Sequence, residues 1–581
     1  MTNRINKFIT VLLLSFIIAA CAEPEDDNID NSGANINATH QVLAFNDLGM
    51  HCADLDYSTF VILPPFNVVH SQIIERGDTP RILDAAQVNV SYRAVQDGSG
   101  SINTTSQNQA GSTQKTNFWD INPSTQNSFV FDLFGLNPPA DEGLAFGQAM
   151  PGILNPYSAN DPQPFNHYET TKKWFAADGV PILPIDDAGQ TNAYPLMRVS
   201  ASLAESGQTV ASLDVVLPVA SEADCQNCHA LGEVGTSDNN PNYIFPNDPN
   251  DPNDPNDVLQ AAKHNILVLH DTKHGDEYPT KLVDSTPLLC ASCHYSAALD
   301  LEGTGPTNTL PKMSEVMHSH HGELTDSTGT PLFPTNGTLE ETCYQCHPGK
   351  VTKCLRGAMG GAGIECVDCH GSMLAVGRST REPWIDEPRC ESCHTGDAIS
   401  NLGSIRLSQA WDGDIDIATP RVANNKRFAE NPDTLYRNSL GHGGVACEGC
   451  HGSTHAIWPN ALPSANDNLA AVQLQGHAGT ITECSSCHTS LPLTLNGPHG
   501  MHNVNSRTWN LEHEDFYERD PNACRACHGV NLEGTVLSRT AADRVYLRDD
   551  EDDDDDEGGG AQTINLAKGT EVSCNLCHEK P

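Results

Sequence analysis

Basic residues are scarce in this chain. Of 581 residues, 32 are Lys or Arg and 75 are Asp or Glu, for a formal net charge of −43. A surface so acidic repels polyanions, which excludes nucleic acid and anionic membrane surfaces as partners. Long apolar runs are also missing. The one uncharged apolar stretch, Phe8–Ala20, is shorter than the ~20 residues a helix needs to cross a bilayer, and no later stretch comes closer.

What the chain has in excess is one motif. Cys-x-x-Cys-His occurs nine times, as Cys225/Cys228/His229, Cys290/Cys293/His294, Cys343/Cys346/His347, Cys366/Cys369/His370, Cys390/Cys393/His394, Cys447/Cys450/His451, Cys484/Cys487/His488, Cys524/Cys527/His528 and Cys574/Cys577/His578. Random placement of 21 Cys and 25 His predicts roughly 0.03 copies. Tetrahedral zinc uses Cys pairs but does not require a His directly after the second Cys. A disulfide framework needs no His. The pattern implies covalent attachment of nine haem c groups, with two thioethers per haem and the adjoining His as proximal iron ligand.

The N-terminus begins with a basic segment, Met1–Lys7, followed by the apolar run and small residues, the arrangement of a secretory signal peptide over residues 1–20. Ile18-Ala19-Ala20-Cys21 resembles a bacterial lipobox. The resemblance implies cleavage before Cys21, acylation of its thiol and, with Ala22 following, an outer-membrane destination, so that the membrane is met only through the lipid anchor. Residues 21–39 read as a flexible tether. In an exported protein Cys52 and Cys354, which lie outside every motif, are candidates for a disulfide.

Residues 40–220 contain no motif and alternate apolar and polar positions. Val88, Val90 and Tyr92 form one apolar face; Met197, Val199, Ala201 and Leu203 a second; Ala211, Leu213, Val215 and Leu217 a third. The last two are separated by a hairpin-like Glu205-Ser-Gly-Gln turn. The expected fold here is an all-β domain, a sandwich or a barrel. Residues 221–581 allow about 40 residues per haem, far below what nine separate cores would need. The haems must supply the core, wrapped by short helices and loops with little sheet. The motifs at 343, 366 and 390 are the most closely spaced and should bring their haems together.

Two segments are low in complexity. Residues 246–257 repeat Pro-Asn-Asp and read as a stiff polyproline spacer. The alternative is a weak Ca2+ stripe along Asp248, Asp251, Asp254 and Asp257. Residues 549–560, nine acids and three glycines, read as a solvated loop.

Each haem iron takes a sixth ligand unless its site is for chemistry. Twelve further histidines in this region are candidates for that distal position: His264, His270, His274, His318, His320, His321, His442, His455, His477, His499, His502 and His513. The segment Val258–His270 reads as a helix with Asp257 as N-cap. Met359 and Met501 are thioether alternatives to His. In the β domain His51, Cys52 and His70 are a candidate copper or zinc set, with distal ligation by His51 and His70 as another option. All nine motifs end in His, with no Lys replacement of the kind found in some multihaem enzymes, so no catalytic residue is assigned.

With its lipobox, nine motifs and spare histidines, the chain resembles the multihaem c-type cytochromes of bacteria that respire extracellular metals or electrodes. Gly497-Pro-His-Gly-Met-His502, Trp509, His513 and Cys524-Arg-Ala-Cys-His-Gly529 share that resemblance. It implies electron relay between periplasmic or outer-membrane cytochromes and extracellular metal acceptors, from the periplasmic or cell-surface side of the outer membrane. The rival readings are a multihaem reductase with one open iron, acting on a small nitrogen, sulfur or metal oxyanion, and a subunit of a cytochrome filament. The last motif ends at His578, and its haem is expected near the surface as an entry or exit point.

Overall fold

The computed structural model describes residues 38–47, 49–106, 115–138, 141–143, 160–221, 225–236, 242–243, 255–300, 305–306, 308–383, 385–400, 410–417, 419–423, 425–454, 460, 462, 465–490, 493–548 and 562–578. The signal peptide, Cys21, most of the tether, His455, the spacer up to Asn253 and Asp254, and the acidic run lie outside them.

The N-terminal strands are β1 (His40–Asn46), β2 (His51–Cys52), β3 (Phe60–Val61), β4 (Phe66–Glu75), β5 (Arg81–Leu83), β6 (Val88–Val95), β7 (Gln163–Pro164), β8 (His167–Glu169), β9 (Trp174–Pro181), β10 (Leu196–Leu203), β11 (Thr209–Val216) and β12 (Val219–Ala220). Nine of them build two open antiparallel sheets, while β2 and β12 form a separate parallel pair. One runs β1-β4-β9-β8, with β5 also on β4; the other runs β11-β10-β6-β7. Neither closes into a barrel. The alternation seen in the sequence carries through: Met197 pairs with Val215, Val199 with Leu213 and Ala201 with Ala211. These side chains, with Val88, Val90 and Tyr92, join Val42, Val69, Ile73, Phe175 and Ala177 of the other sheet in one buried core. Such packing of two inner faces is that of a sandwich.

The haem region completes this core. Helix α1 (Phe129–Phe134) belongs to the β domain. The remaining helices are α2 (Gln226–His229), α3 (Pro255–His274), α4 (Met313–Gly322), α5 (Ala358–Gly361), α6 (Cys366–His370), α7 (Met373–Val376), α8 (Cys390–Cys393), α9 (Cys447–His451), α10 (Leu469–Gln475), α11 (Arg507–Arg519) and α12 (Pro521–His528). Ala470 and Leu474 of α10 pack into the sandwich core; burying a leucine there contributes roughly 2 kcal/mol. Sheet in this region is confined to short pairs: β13 (Leu288–Leu289) runs parallel to β3, β14 (Trp411–Asp412) pairs with β15 (Thr419–Pro420), and β16 (Arg544–Arg548) pairs with β17 (Gln562–Leu566). The acidic run therefore links the two strands of a hairpin.

The helix expected from Val258 starts earlier. It runs from Pro255 to His274, so Asp257 lies inside its first turn and is not its cap. A proline at the first helical position loses no hydrogen bond and has its φ already set. The last three residues of the Pro-Asn-Asp segment are thus helical and not polyproline. Among the described residues, no helix is long and apolar enough to cross a membrane.

Candidate haem-binding sites

Each motif folds into a single helical turn. The His amide donates to the carbonyl of the first Cys in motifs one, two, three, five, seven and nine, at 2.8–3.1 Å. Motifs four, six and eight lie within α6, α9 and α12. A helical turn brings residues three apart close together, so the two thiols of a motif are neighbours with the His beside them. After motifs four, six and eight the chain leaves through Gly371, Gly452 and Gly529, at φ of 76°, 74° and 91°, a backbone region that a side chain disfavours.

The motif imidazoles meet other imidazoles. Ring centroids are 6.4 Å apart for His229 and His321, 6.3 Å for His294 and His270, and 5.9 Å for His347 and His318. They are 5.9 Å apart for His451 and His499, 6.3 Å for His488 and His442, 6.3 Å for His528 and His502, and 5.6 Å for His578 and His513. Two imidazoles on opposite sides of one iron, with bonds of about 2 Å and about 1 Å from each nitrogen to its ring centre, stand about 6 Å apart. The gaps fit the width of a haem iron.

In seven of the facing rings Nδ1 is bonded to a backbone carbonyl, which leaves Nε2 for a metal, whereas Nδ1 of His229 and His502 is buried without a partner. His294 Nδ1 is 2.8 Å from Pro311 O, His528 Nδ1 2.8 Å from Val572 O and His488 Nδ1 3.2 Å from Asp78 O. On the facing side, His318 is 2.7 Å from Ser314 O, His321 2.7 Å from Met317 O, His499 2.9 Å from Arg427 O and His513 3.0 Å from Asn510 O. Burial first, then the facing imidazole, pulls His229, His318, His451 and His502 down to about 4. These rings are neutral at pH 7, the form that binds metal.

Tertiary structure decides which candidates meet a motif. His318 and His321, one helical turn apart on α4, face motifs three and one respectively. His442, just before motif six, faces motif seven. His502 is stacked on Trp509 at 4.3 Å and 9°. Four other candidates are not brought to a motif ring in this way. His477 has Nδ1 3.1 Å from Ala478 O and Nε2 3.0 Å from Glu483 Oε1, so both nitrogens are committed to oxygen. His274 pairs with Glu277 at 2.9 Å. His320 is exposed beside His321. His264 has its Nδ1 buried on α3. Met359 is 39% exposed, and Met501 lies in the turn closed by its own carbonyl and the Gly497 amide. The edge of Phe428 stands 6.0 Å from His394.

The attachment sites form a connected series. The Cys343 and Cys366 thiols are in hydrogen-bond contact, as are those of Cys369 and Cys393, so the closely spaced motifs three, four and five are neighbours in space. Cys290 and Cys346 both lie within electrostatic reach of Cys225, Cys390 of Cys447, Cys450 of Cys487 and Cys524 of Cys574. The Ala398 amide, four residues past motif five, donates to Ala526 O inside motif eight at 2.8 Å. Motif nine is a short turn whose Asn575 and Leu576 are exposed.

Two of the expected thioether cysteines, Cys293 and Cys346, depart from the enclosed setting that a haem-cored region leads one to expect. Both are exposed, whereas the other motif cysteines, Cys577 included, are half-buried. The reason is local. Each is the last residue of a tight turn, not part of a longer helix, with its amide on the carbonyl of the first motif cysteine: Cys293 N on Cys290 O at 3.2 Å, Cys346 N on Cys343 O at 3.2 Å. The first cysteine of motif two faces inward towards Lys263 and Asp54, which leaves the second on the outside of the turn. There its carbonyl accepts from Asn308 Nδ2 at 2.7 Å. Cys577 lies within electrostatic reach of Tyr546 on β16, at the rim of the terminal hairpin.

The β domain holds part of this series directly. β13 leads straight into Cys290. Thr489 N donates to Gly77 O at 3.1 Å, beside the His488–Asp78 contact. Lys263 of α3 is inserted into the loop between β2 and β4.

The metal set expected at His51, Cys52 and His70 does not form among the described residues. His51 is buried with Nε2 2.6 Å from Pro64 O, and Cys52 lies in β2 beside Ala220 of β12. No bond joins Cys52 to Cys354, which sits against the Tyr344 hydroxyl. His70 is stacked on Trp174 within the β domain.

Two cysteines and an adjoining histidine on one turn, facing a second imidazole about 6 Å away in seven of the nine motifs, are the residues that a covalently bound haem c would need. The family of outer membrane cytochromes described as MtrC/MtrF-like, domains II/IV, matches residues 362–538, which contain motifs four to eight. Over that stretch the chain is similar to proteins that carry covalently bound haem c and transfer electrons with other redox proteins at the outer membrane. No curated protein and no solved structure matches.

Proposed function

We propose that this chain is a nonahaem electron conduit, exported and held at the outer membrane by a lipid on Cys21. The observation that carries this reading is the set of seven facing imidazole pairs. Each haem supplies a one-electron iron couple when bound. The chain's own residues do the rest. The paired cysteines would hold each macrocycle through thioether bonds, and in seven motifs the two facing imidazoles would serve as ligands to its iron. Backbone carbonyls at Nδ1 of seven of these rings hold them in orientation and raise their basicity, which favours low potentials. Contacts between neighbouring motifs bring the carriers close without a separate protein core for each. No residue needs to break a bond. The haem of motif nine is the point of exchange with a partner.

The test is electron paramagnetic resonance of the oxidised, haem-loaded protein, with haem counted on the same sample. Nine low-spin ferric haems per chain and no high-spin signal are expected. A stoichiometric high-spin component that shifts with nitrite or cyanide would overturn the conduit in favour of a reductase. Labelling with radioactive palmitate is expected to mark the wild-type chain at Cys21.

A further inference from the structure

Between the β domain and motif six lies a group of side chains that haem ligation does not use. Asp47 follows β1, His70 is in β4, and Glu448 is in α9 between Cys447 and Cys450. Each presents one ligand atom, and the three atoms lie within 4.8 Å of one another. The site is closed: His70 is 7% exposed, Glu448 1%, and the Asp47 side chain 10%. Two of its polar atoms, His70 Nδ1 and Glu448 Oε2, are buried without a hydrogen-bond partner. Leaving a buried carboxylate oxygen unsatisfied costs about 1–3 kcal/mol or more, so both atoms call for an occupant.

Local charge asks for the same thing. Four carboxylates, Asp47, Asp178, Glu387 and Glu448, surround the group, and two cations, Arg437 and Lys172, oppose them. Arg437 is drawn off to the outer oxygen of Asp47, with Nη1 3.2 Å from Oδ2. Lys172 lies over the Trp174 ring at 4.6 Å and bonds Asn438. Two negative charges remain uncompensated when all four acids are ionised. The ring of His70 is already fixed in place, stacked on Trp174 at 4.4 Å and 14° and flanked edge-on by Phe45 at 5.9 Å. A pre-oriented neutral imidazole is what a metal site needs, and burial lowers the proton affinity of His70.

We propose that Asp47, His70 and Glu448 bind a divalent transition-metal ion that is separate from the haem irons. One imidazole nitrogen with two carboxylate oxygens suits Zn2+, Mn2+ or Fe2+. An all-oxygen site would be the preference of Ca2+ or Mg2+. Two ligands come from the β domain and the third from within a haem motif, so the ion staples the sandwich to haem six. Any residue is compatible with haem attachment at position 448, because the motif needs only its cysteines and histidine. The two x positions of this motif, Glu448 and Gly449, therefore leave Glu448 free for a second role.

The probe is Zn2+. The full-length haem-loaded protein is freed of loose metal with a chelator and titrated calorimetrically with ZnCl2. Zinc retained after gel filtration is then counted against haem iron by mass spectrometry. His70→Phe keeps the stacking on Trp174, Glu448→Gln keeps the shape, and His51→Gln is a control at a buried histidine without acidic neighbours. The acidic run at 549–557 will take up zinc weakly, so the site is read as the difference between variants. The expected result is one tightly held Zn2+ fewer in His70→Phe, affinity more than about tenfold weaker in Glu448→Gln, and no change in His51→Gln. Haem content stays the same throughout. Zn2+ should also raise the thermal midpoint of the wild type and not of His70→Phe. If the wild type retains no zinc, or if both variants retain it as the wild type does, the proposal fails. If either variant fails to mature, Asp47→Asn gives the same comparison.

Discussion

Replacing Lys263 by Met should unfasten helix α3 from the β domain and disturb the second haem site with it. The Lys263 Nζ donates to Asp54 Oδ1 at 2.9 Å, to Asp56 O at 2.7 Å and to Phe60 O at 3.0 Å. Its side chain is 1% exposed and that of Asp54 19%. Met keeps the aliphatic stem against the Phe60 ring, which lies 5.2 Å from Nζ, so packing is largely retained and the ammonium alone is lost. Breaking a buried ion pair from one side costs about 3–5 kcal/mol. Asp54 keeps partial access to water, so the lower end of that range, about 3 kcal/mol, is expected. At 1.5 Å of rise per residue, His270 lies about 10 Å further along the same helix, facing His294 across the second site. Loosening α3 should therefore convert one haem from low to high spin. The assay pairs guanidinium unfolding with spin-state quantification on one sample. Burial opposes the charge on Lys263, yet Asp54 and Asp56 outweigh it and hold the ammonium above the usual lysine value. A base with a raised folded-state value stabilises fully at neutral pH and loses that contribution as pH rises through the folded value. The gap between wild type and variant should therefore shrink only above about pH 10.5. A variant within 0.5 kcal/mol of wild type, roughly the scatter of surface substitutions, with all haems still low-spin, would refute the reasoning.

Three further outcomes can be checked. His502→Gln should remove the ring facing His528 and turn one haem of the chain high-spin, read by paramagnetic resonance; an unchanged low-spin count would exclude His502 as a ligand. Burial pushes Glu387 up to about 7, with Asp47 and Glu430 adding to this and Arg437 and Arg389 opposing it. The unfolded chain releases that proton near 4.5, so stability should fall between about pH 4.5 and 7, by roughly 3 kcal/mol. Glu387→Gln should flatten that decline, measured by denaturant unfolding at three pH values. Cys21→Ser should abolish palmitate labelling and move the protein from the membrane to the soluble fraction; a variant still in the membrane fraction would remove lipid anchoring from the proposed function.

The parts legible in sequence are those set by local geometry. Cys at i and i+3 and His at i+4 must share a turn wherever the chain is helical, so the turn at each of the nine Cys-x-x-Cys-His motifs could be read directly. How deeply each thiol is enclosed could not, as the exposed Cys293 shows beside the inward-facing Cys290. The hairpin of β10 and β11 was also legible, because its period-two faces allow one register over a buried core. The helix end at Pro255 was missed because the Pro-Asn-Asp repeat continues unbroken into the first turn of α3, where proline is tolerated. The setting of His477 was not legible for a different reason. Its commitment to Glu483, which Arg544 also engages, depends on the β16–β17 hairpin returning from far along the chain.

By itself the sequence determined the turns of the Cys-x-x-Cys-His motifs, the alternating strands of the β domain and the acidic charge, because each follows from residue type and short spacing. Tertiary structure alone decided which imidazole faces which motif. His318 and His321 share a helix yet serve different motifs, and His442 passes over its neighbour at motif six to reach motif seven. Long-range packing also assembled Asp47, His70 and Glu448 from two strands of the sandwich and a haem motif, and set Lys263 into a loop some two hundred positions earlier. Those pairings depend on where distant segments come to rest, which residue spacing along the chain does not encode.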